Sequence, residues 1–507
     1  MANPSNGTEN VPVQPKNTNG KKNQANVPKK RSAMNGAAKA SKQTFSQKLG
    51  SDLADGLLKD SRPLEKSMNL VDRVTYVKAS TAQTTTSTTT ITTSTAVQQE
   101  AAIAITGDID TLNAEAVEVL RPKNPRNIFD LDDFAALSAL EELIGRYGRV
   151  SHMGILDKSY TFFITQDRKA ALYYKVKDKI AVVGGDPLCD PNLFPKILSE
   201  FEKYRKKQGL GIAFLAAGET FVEYARKENW TTMCFATERV LNPMTNAVLQ
   251  GTAGKTIVRT SKNLLDPKKE GITLEVYTPR LGKSPRLQQQ LVEVYEEWRD
   301  HRNGEKRNQA YITVYDPFSL PELMTYIYTK DRSGTPNGFA ALRILGANKG
   351  YHLDPYVATP GAPKGITDLL LYGVMALLKT AKISYLSLGY EPLDDLGEIT
   401  GIPKVAAKIS RKVHKRIFQG LCVAGKKGYH DKFRPDEAQQ SNLYLVFPPG
   451  IPSLRHMAAI VHVANIKIHK VIFKKLPEMT VVENEKDTDS KKSSDEEAQD
   501  APPTPTT

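Results

Sequence analysis

Cysteine, tryptophan and long apolar runs are all scarce in this 507-residue chain, and each shortage excludes something. The three cysteines, Cys189, Cys234 and Cys422, are too few and too widely spaced for a disulfide framework or a metal-ligand pair. His414 and His430 likewise have no partners at metal-ligand spacing. A reducing, intracellular setting is therefore expected, with no metal. No stretch approaches the roughly 18 apolar residues of a membrane-spanning helix, and the N-terminal residues lack the apolar centre of a secretory signal. Any membrane lipid this protein handles is expected to be reached from the surface.

Acidic residues are in the minority. The 56 Asp and Glu face 70 Lys and Arg, a formal net charge of +14 with a pI near 9.3. Such a balance points to an acidic partner, either nucleic acid or an anionic membrane surface. The charge is uneven. Residues 1–66 carry 12 Lys/Arg against 5 Asp/Glu, residues 477–507 carry 3 against 9, and the stretch between them is left at +13. Most of the excess lies where the chain is able to fold.

Composition then divides the chain. Residues 1–127 are expected to be a disordered, low-complexity region, polar up to about 66 and nearly pure Ser, Thr and Ala from 80 to 95. Residues 477–507 read as a disordered acidic tail, and 451–476 as a basic helix with Met457, Val461, Ala464, Ile468 and Val471 on one side. That helix is suited either to the membrane interface or to docking on the body.

The body is α/β. The run 134–147 repeats apolar residues at helical spacing, and short β-type runs follow at 160–164, 170–176 and 180–183. Asp190 and Pro191 form a helix start, after which Phe194, Ile197, Leu198 and Phe201 share a face. A repeat emerges here. Strand, Asp186-Pro187, helix and the strand IAFLAAGE make one copy. Strand, Asp354-Pro355, a helix with Ile366, Leu369, Leu370, Gly373, Val374 and Leu377 on one face, and SYLSLGYE make the other. The Asp-to-Gly separations are 32 residues (186 to 218) and 35 (354 to 389), the mark of a duplicated unit.

Five ordered segments resemble a known family: FFITQDRKAALYYKVKDKIAVVGGDPLCDP (162–191), GKTIVRTSKNLLDPKKEGITLEVY (254–277), YEEWRDHRNGEKRNQAYITVYD (295–316), YHLDPYVATPGAPKGITDLLLYGVMALLKTAKISYLSLGYEPL (351–393) and GKKGYHDKFRPDEAQQSNLYLVFPPG (425–450). Together they are similar to the soluble C-terminal domain of bacterial lysylphosphatidylglycerol synthases, the multiple peptide resistance factor family. The resemblance implies two tandem acetyltransferase-like (GNAT-like) units forming one catalytic body, at 128–270 and 271–450. It also implies charged tRNA as donor, a membrane lipid as acceptor and no cofactor. Two departures stand out. The multi-span flippase of bacterial members is absent, and the family's Asp-x-x-Arg pair is Asp354 followed by Val357. These features resemble the freestanding fungal branch, the ergosteryl-glycine synthases. That branch implies Gly-tRNA as donor, ergosterol as acceptor, and peripheral placement on internal membranes or lipid droplets.

An aminoacyl ester is already activated, so the chemistry needs positioning, a base and stabilisation of an oxyanion. Asp354 is the candidate base, although Asp-Pro is also a common turn. Gly185, Asp186 and Pro187 form the equivalent turn of the first half and read as structural or as a secondary site. Arg299, Arg302 and Lys306, with Arg307 beside them, follow an amphipathic helix that carries Trp298 on its apolar face; these residues with Trp298 suit the tRNA end, as do Lys426, Lys432 and Phe433 of the closing motif. Lys404, Lys408, Arg411, Lys412, Lys415 and Arg416 surround a stripe of Val405, Ile409, Val413 and Ile417, a basic helix whose natural partners are phosphates.

Other readings stay open. The acceptor could be phosphatidylglycerol or another glycerolipid. A non-enzymatic RNA- or membrane-binding protein would keep the same fold. An acetyl-CoA-dependent N-acetyltransferase needs a pyrophosphate cradle before a helix, and the nearest run, Arg343 to Asn348, leads into a strand.

Overall fold

The computed structural model describes residues 43–58, 70, 74, 127–131, 134–304, 315–419, 424–449 and 452–465. The Ser/Thr stretch at 80–95, the acidic tail at 477–507, Cys422, and Ile468 and Val471 of the expected terminal helix lie outside the described residues. The described elements belong to the compact unit that begins at Thr44.

The first helix is α1 (Phe45–Leu58), followed by β1 (Ile128–Phe129) and α2 (Phe134–Tyr147). In α2 Ala136, Leu140, Leu143 and Ile144 are buried at the anticipated helical spacing. β2 (Thr161–Ile164), β3 (Ala171–Lys177) and β4 (Ile180–Gly184) extend β1 into an antiparallel meander. Asp190 then accepts a hydrogen bond from the Asn192 amide at 3.0 Å, and Pro191 opens a single 3-10 turn. α3 (Phe194–Lys207) buries Phe194, Ile197 and Phe201 and returns the chain to β5 (Gly211–Ala217), parallel to β4. α4 (Glu219–Lys227) and β6 (Thr231–Leu241) close this half.

α5 (Ala247–Gln250) and α6 (Lys255–Leu265) lead into a second meander. It consists of β7 (Thr273–Tyr277), β8 (Met324–Lys330), β9 (Pro336–Leu345) and β10 (Gly350–Ala358), with α7 (Pro285–Gly304) between β7 and β8. α8 (Ile366–Thr380) crosses over and β11 (Leu386–Pro392) returns parallel to β10. Strand, Asp-Pro, helix and parallel strand thus recur in both halves, and the fold is two tandem GNAT-like units. β12 (Ile399–Thr400), α9 (Lys404–Gln419), α10 (Ala424–Asp431), β13 (Asn442–Phe447) and α11 (Leu454–Val463) complete the described chain.

One sheet runs through both units because their last strands trade places. β6 leaves the first half to pair with β11, and β13 of the second half fits between β5 and β6. Pulling the halves apart would strip backbone partners from β5, β6, β11 and β13, so neither half keeps a complete ladder alone. In α11 Ala459, Ile460, Val461 and Val463 are buried and the helix packs on β3, β4 and β5. The described part of the 451–476 segment is therefore docked on the body.

α8 lies at the centre of the second unit. Ile366 and every residue from Leu369 to Leu378 are buried, so the helix is covered on all sides and not along one stripe. β8, β9, β10, α6 and α1 all pack on it. Expected disorder across 1–127 fails at α1. Leu49, Leu53, Ala54 and Leu57 form a helical stripe that is buried, although polar neighbours dilute it in composition. A Cβ at Gly50 would stand 2.4 Å from the Ala376 carbonyl oxygen and 2.5 Å from Thr380 Oγ1, so glycine lets the helices approach. Gly50→Leu is expected to lift α1 from α8 and lower stability by about 1–3 kcal/mol in urea denaturation.

Candidate active site

The two parallel strand pairs differ. β4 and β5 stay paired over five rungs, from Ile180↔Gly211 to Gly184↔Leu215. β10 and β11 pair only at Tyr351↔Leu386 and His352↔Ser387. Beyond that both strands are irregular, β10 between Leu353 and Tyr356 and β11 between Ser387 and Tyr390. Irregularities of this kind re-aim side chains. Asp354 sits just past the last rung, where the strands have stopped pairing.

Asp354, Tyr356 and Ala358 are half-buried, while Leu353, Pro355 and Val357 between them are buried. This alternation puts Val357, at 1% exposure, in the core. Burial pushes the Asp354 carboxyl up to about 6, and the charges of Lys426 and then Arg343 pull the other way. Lys426 closes the open side from α10. A Cβ at Gly389 of β11 would stand 3.9 Å from Lys426 Nζ and 3.8 Å from His352 Cε1.

Arg343 and His352 face each other across β9 and β10. Arg343 is 2% exposed, and burial lowers its guanidinium to about 10. Its Nη2 donates to the His152 carbonyl at 3.2 Å and more weakly to that of Arg149 at 3.4 Å. Burial lowers the His352 imidazole to about 3, and the charge of Arg343 adds to this. The ring is therefore neutral, with Nδ1 donating to the Ser387 carbonyl at 3.3 Å. Arg343 Nη1 and His352 Nε2 are buried and have no hydrogen-bond partner among the described residues. A donor and an acceptor left open within the field of a carboxyl and a lysine are hydrogen-bonding positions of the kind a substrate completes.

A second chain of hydrogen bonds braces this wall. His430 Nδ1 lies 2.9 Å from Glu391 Oε1, and its Nε2 lies 2.9 Å from the Tyr356 hydroxyl. Burial lowers the His430 ring, so it is neutral. Burial pushes Glu391 upward, but the His430 hydrogen bond and the charges of Arg239 and Lys426 outweigh it and hold the carboxyl below its ordinary value. His430 Nδ1–H thus donates to the ionised Glu391, and the Tyr356 hydroxyl donates to Nε2. Arg239 pairs with Glu391 at 3.4 Å and with Asp431. α10, which carries Lys426, is tied to β6, β10 and β11 in this way.

The structure gathers several of the sequence-predicted residues around Asp354. Lys426 is the cation whose charge lowers Asp354 most, ahead of Arg343. Lys432 Nζ lies 5.3 Å over the Tyr429 ring, which stacks on Tyr356 at 6.1 Å. Phe433 is fully buried and packs on Tyr429, so it seats the closing loop and offers a substrate no surface. α7 supplies Tyr295, whose hydroxyl burial raises first and the Asp354 charge second. Trp298 packs on Tyr295 at 5.9 Å and is partly buried against the core. Arg299 bonds Asp300 at 3.0 Å, and Arg302 is half-buried. Lys306 and Arg307 lie outside the described residues.

Gly185, Asp186 and Pro187 form a buried turn. Asp186 accepts from the Gly218 amide at 2.6 Å and pairs with Arg149 at 3.5 Å. Gly185 holds φ +72°, and a Cβ there would strike Ser151. This turn joins β4 to the start of α4, and His152 connects it to Arg343 through its Nε2 contact with the Asp186 carbonyl at 2.9 Å. Arg343, His352 and the Tyr356–His430–Glu391 chain were missed in the sequence. Arg343 entered only through the run 343–348, which lies in β9 and the 3-10 turn before β10 and opens no helix that could cradle a pyrophosphate.

Residues 141–446 match the family model described as phosphatidylglycerol lysyltransferase, C-terminal. The chain belongs to that family. Over 283 residues this lysyltransferase-family domain is 22% identical to the lysylphosphatidylglycerol biosynthesis bifunctional protein of Rhodococcus jostii, covering 55% of this chain and 24% of that one. A stretch of 76 residues is 37% identical to the phosphatidylglycerol lysyltransferase of Staphylococcus aureus, 15% of this chain and 9% of that one. In fold the domain is similar to L-PGS from Bacillus licheniformis, with a TM-score of 0.50 at 20% identity, over 67% of this chain and 98% of that one. The chain spans about a quarter of the length of the Rhodococcus relative. Asp354, Lys426, Arg343, His352 and His430 all fall inside the matched residues.

A carboxyl held above its ordinary range favours the protonated form of the fold. Its stabilising contribution is complete below about pH 4 and is lost as pH rises through about 6. Asp354→Asn is therefore expected to raise the melting temperature at pH 8, by on the order of 1–3 kcal/mol of stability, and to have no such effect near pH 4. Thermal melts across this range test the sign.

Proposed function

We propose that this domain moves an amino acid from charged tRNA to the hydroxyl of a membrane lipid, using glycine from Gly-tRNA and the 3-hydroxyl of ergosterol. The observation that carries this reading is the place of Asp354, just past the last β10–β11 rung and near Arg343 Nη1 and His352 Nε2, which lack partners among the described residues, with burial raising its carboxyl to about 6 against the charge of Lys426. A base near that value is ionised at neutral pH yet retains affinity for a proton. Asp354 takes the proton of the acceptor hydroxyl as its oxygen attacks the ester carbonyl. The tetrahedral intermediate then expels the terminal ribose oxygen of the tRNA, which regains the proton from Asp354. Lys426 faces the negative charge that develops or the phosphates that precede the ester. The new ester and the freed tRNA hydroxyl balance the reaction, and no metal or redox partner enters it.

Glycine and sterol are supported by the resemblance to the freestanding fungal branch and by Val357. Val357 stands where the family's Asp-x-x-Arg pattern has its cation, and as a core residue it supplies no charge for an anionic headgroup. A second reading, transfer to phosphatidylglycerol, is favoured by the names of the relatives and by Arg343 Nη1, a buried donor without a partner among the described residues. In either case the enzyme works at a membrane surface, on internal membranes or lipid droplets.

The test is a transfer assay with a mixture of radiolabelled aminoacyl-tRNAs and vesicles containing ergosterol or phosphatidylglycerol, followed by solvent extraction. Label from Gly-tRNA is expected in the sterol, absent after RNase treatment and about 100-fold weaker in Asp354→Ala. Label in phosphatidylglycerol would select the second reading, and unlabelled lipid with every amino acid would defeat both. Activity is expected to fall about tenfold per pH unit below about 6, as the base becomes protonated.

A further inference from the structure

The sequence makes α9 a basic helix around an apolar stripe, with phosphates as natural partners. The structure faces part of that stripe outward. Val405 is 73% exposed and Ile409 is 58% exposed. Lys404, Lys408, Lys412 and Lys415 are exposed as well. At 3.6 residues per turn these six side chains share one arc of roughly 140°. The remaining side faces the protein. Ala406, Ala407, Ser410 and Val413 are half-buried there, and the side chain of Ile417 lies outside the described residues. Arg411 Nη2 donates to the Gly397 carbonyl at 2.6 Å, and His414 Nε2 meets the Leu393 carbonyl at 2.8 Å. The helix is fastened through its polar inner side, which fixes the lysines and the two branched apolar residues outward.

We infer that the outer face of α9 docks the protein on an anionic lipid bilayer. Phosphates alone call for cations, and a nucleic-acid backbone gives Val405 and Ile409 nothing apolar to meet. A bilayer with acidic headgroups satisfies both. Branched side chains enter below the headgroups while lysine stems lie along them and keep their ammonium groups among the phosphates. The placement suits a lipid-transferring enzyme. α9 is pinned to the 393–397 segment that leaves β11, and α10, which carries Lys426, follows it in the chain. The docking face adds to the lipid-transfer reading without requiring it, since vesicle binding is measured without tRNA and without transfer.

The experiment is cosedimentation of the full chain with phosphatidylcholine vesicles, with and without phosphatidylserine, alongside tRNA binding in solution. Wild-type protein is expected to sediment with the phosphatidylserine vesicles and to be released by salt. The double variant Val405→Asp/Ile409→Asp is expected to bind them at least about tenfold more weakly. It should keep the wild-type melting temperature, because both side chains are exposed, and wild-type tRNA affinity. Lys404→Glu/Lys408→Glu/Lys412→Glu is expected to reduce vesicle binding to a similar degree. Unchanged vesicle binding by the double variant would overturn the inference. So would a triple variant that loses tRNA affinity while holding vesicles, which would make α9 an RNA surface.

Discussion

The exchange of β6 and β13 is the constraint on which the rest of this protein depends. Each GNAT-like unit lends its last strand to the other, so a single sheet carries both parallel strand pairs in one rigid frame. The frame allows the two pairs to diverge in use. β4 and β5 remain zipped, and their Asp186 turn is absorbed by Gly218 and Arg149. β10 and β11 part after two rungs, and Asp354, at an irregularity inside β10, is left with unfilled polar neighbours. Burial raises both carboxyls, but duplication put Asp186 in a turn after β4 that Gly218 and Arg149 satisfy, and Asp354 inside a strand whose partner has stopped pairing.

The charged groups around Asp354 are held by partners from several directions. Arg343 reaches from β9 to carbonyls of the first half, Lys426 approaches from α10, and the Tyr356–His430–Glu391–Arg239 chain fastens α10 to three strands. None of these groups neutralises Asp354 by a direct ion pair at contact distance. The carboxyl is left in a low-dielectric setting with cations near enough to limit its rise, the balance a general base requires. His152 links this cluster to the Asp186 turn through its ring and its carbonyl. The first half thereby helps to position the groups around Asp354 in the second.

Local patterns in the sequence carried the α/β class, the repeat, the capped start before α3 and the candidate Asp354, because each rests on spacing within a few dozen residues. The cations near Asp354 were legible only in part. Lys426 was found through its motif, but Phe433 from the same motif is core, since a motif does not say which way a side chain points. Arg343 and His352 are 9 residues apart in the chain and meet because β9 and β10 pair in that register. Burial of α1 was hidden because its stripe of Leu49, Leu53, Ala54 and Leu57 has meaning only against α8.

What the sequence determined by itself was therefore the list of elements, the duplication and the candidate Asp354, all properties of short-range pattern. Tertiary structure alone decided which Asp-Pro pair lies where strand pairing stops, which polar groups are buried near it and which side of α9 faces outward. Those outcomes depend on strand register, exchange and packing between residues far apart in the chain, and local periodicity contains no information about them.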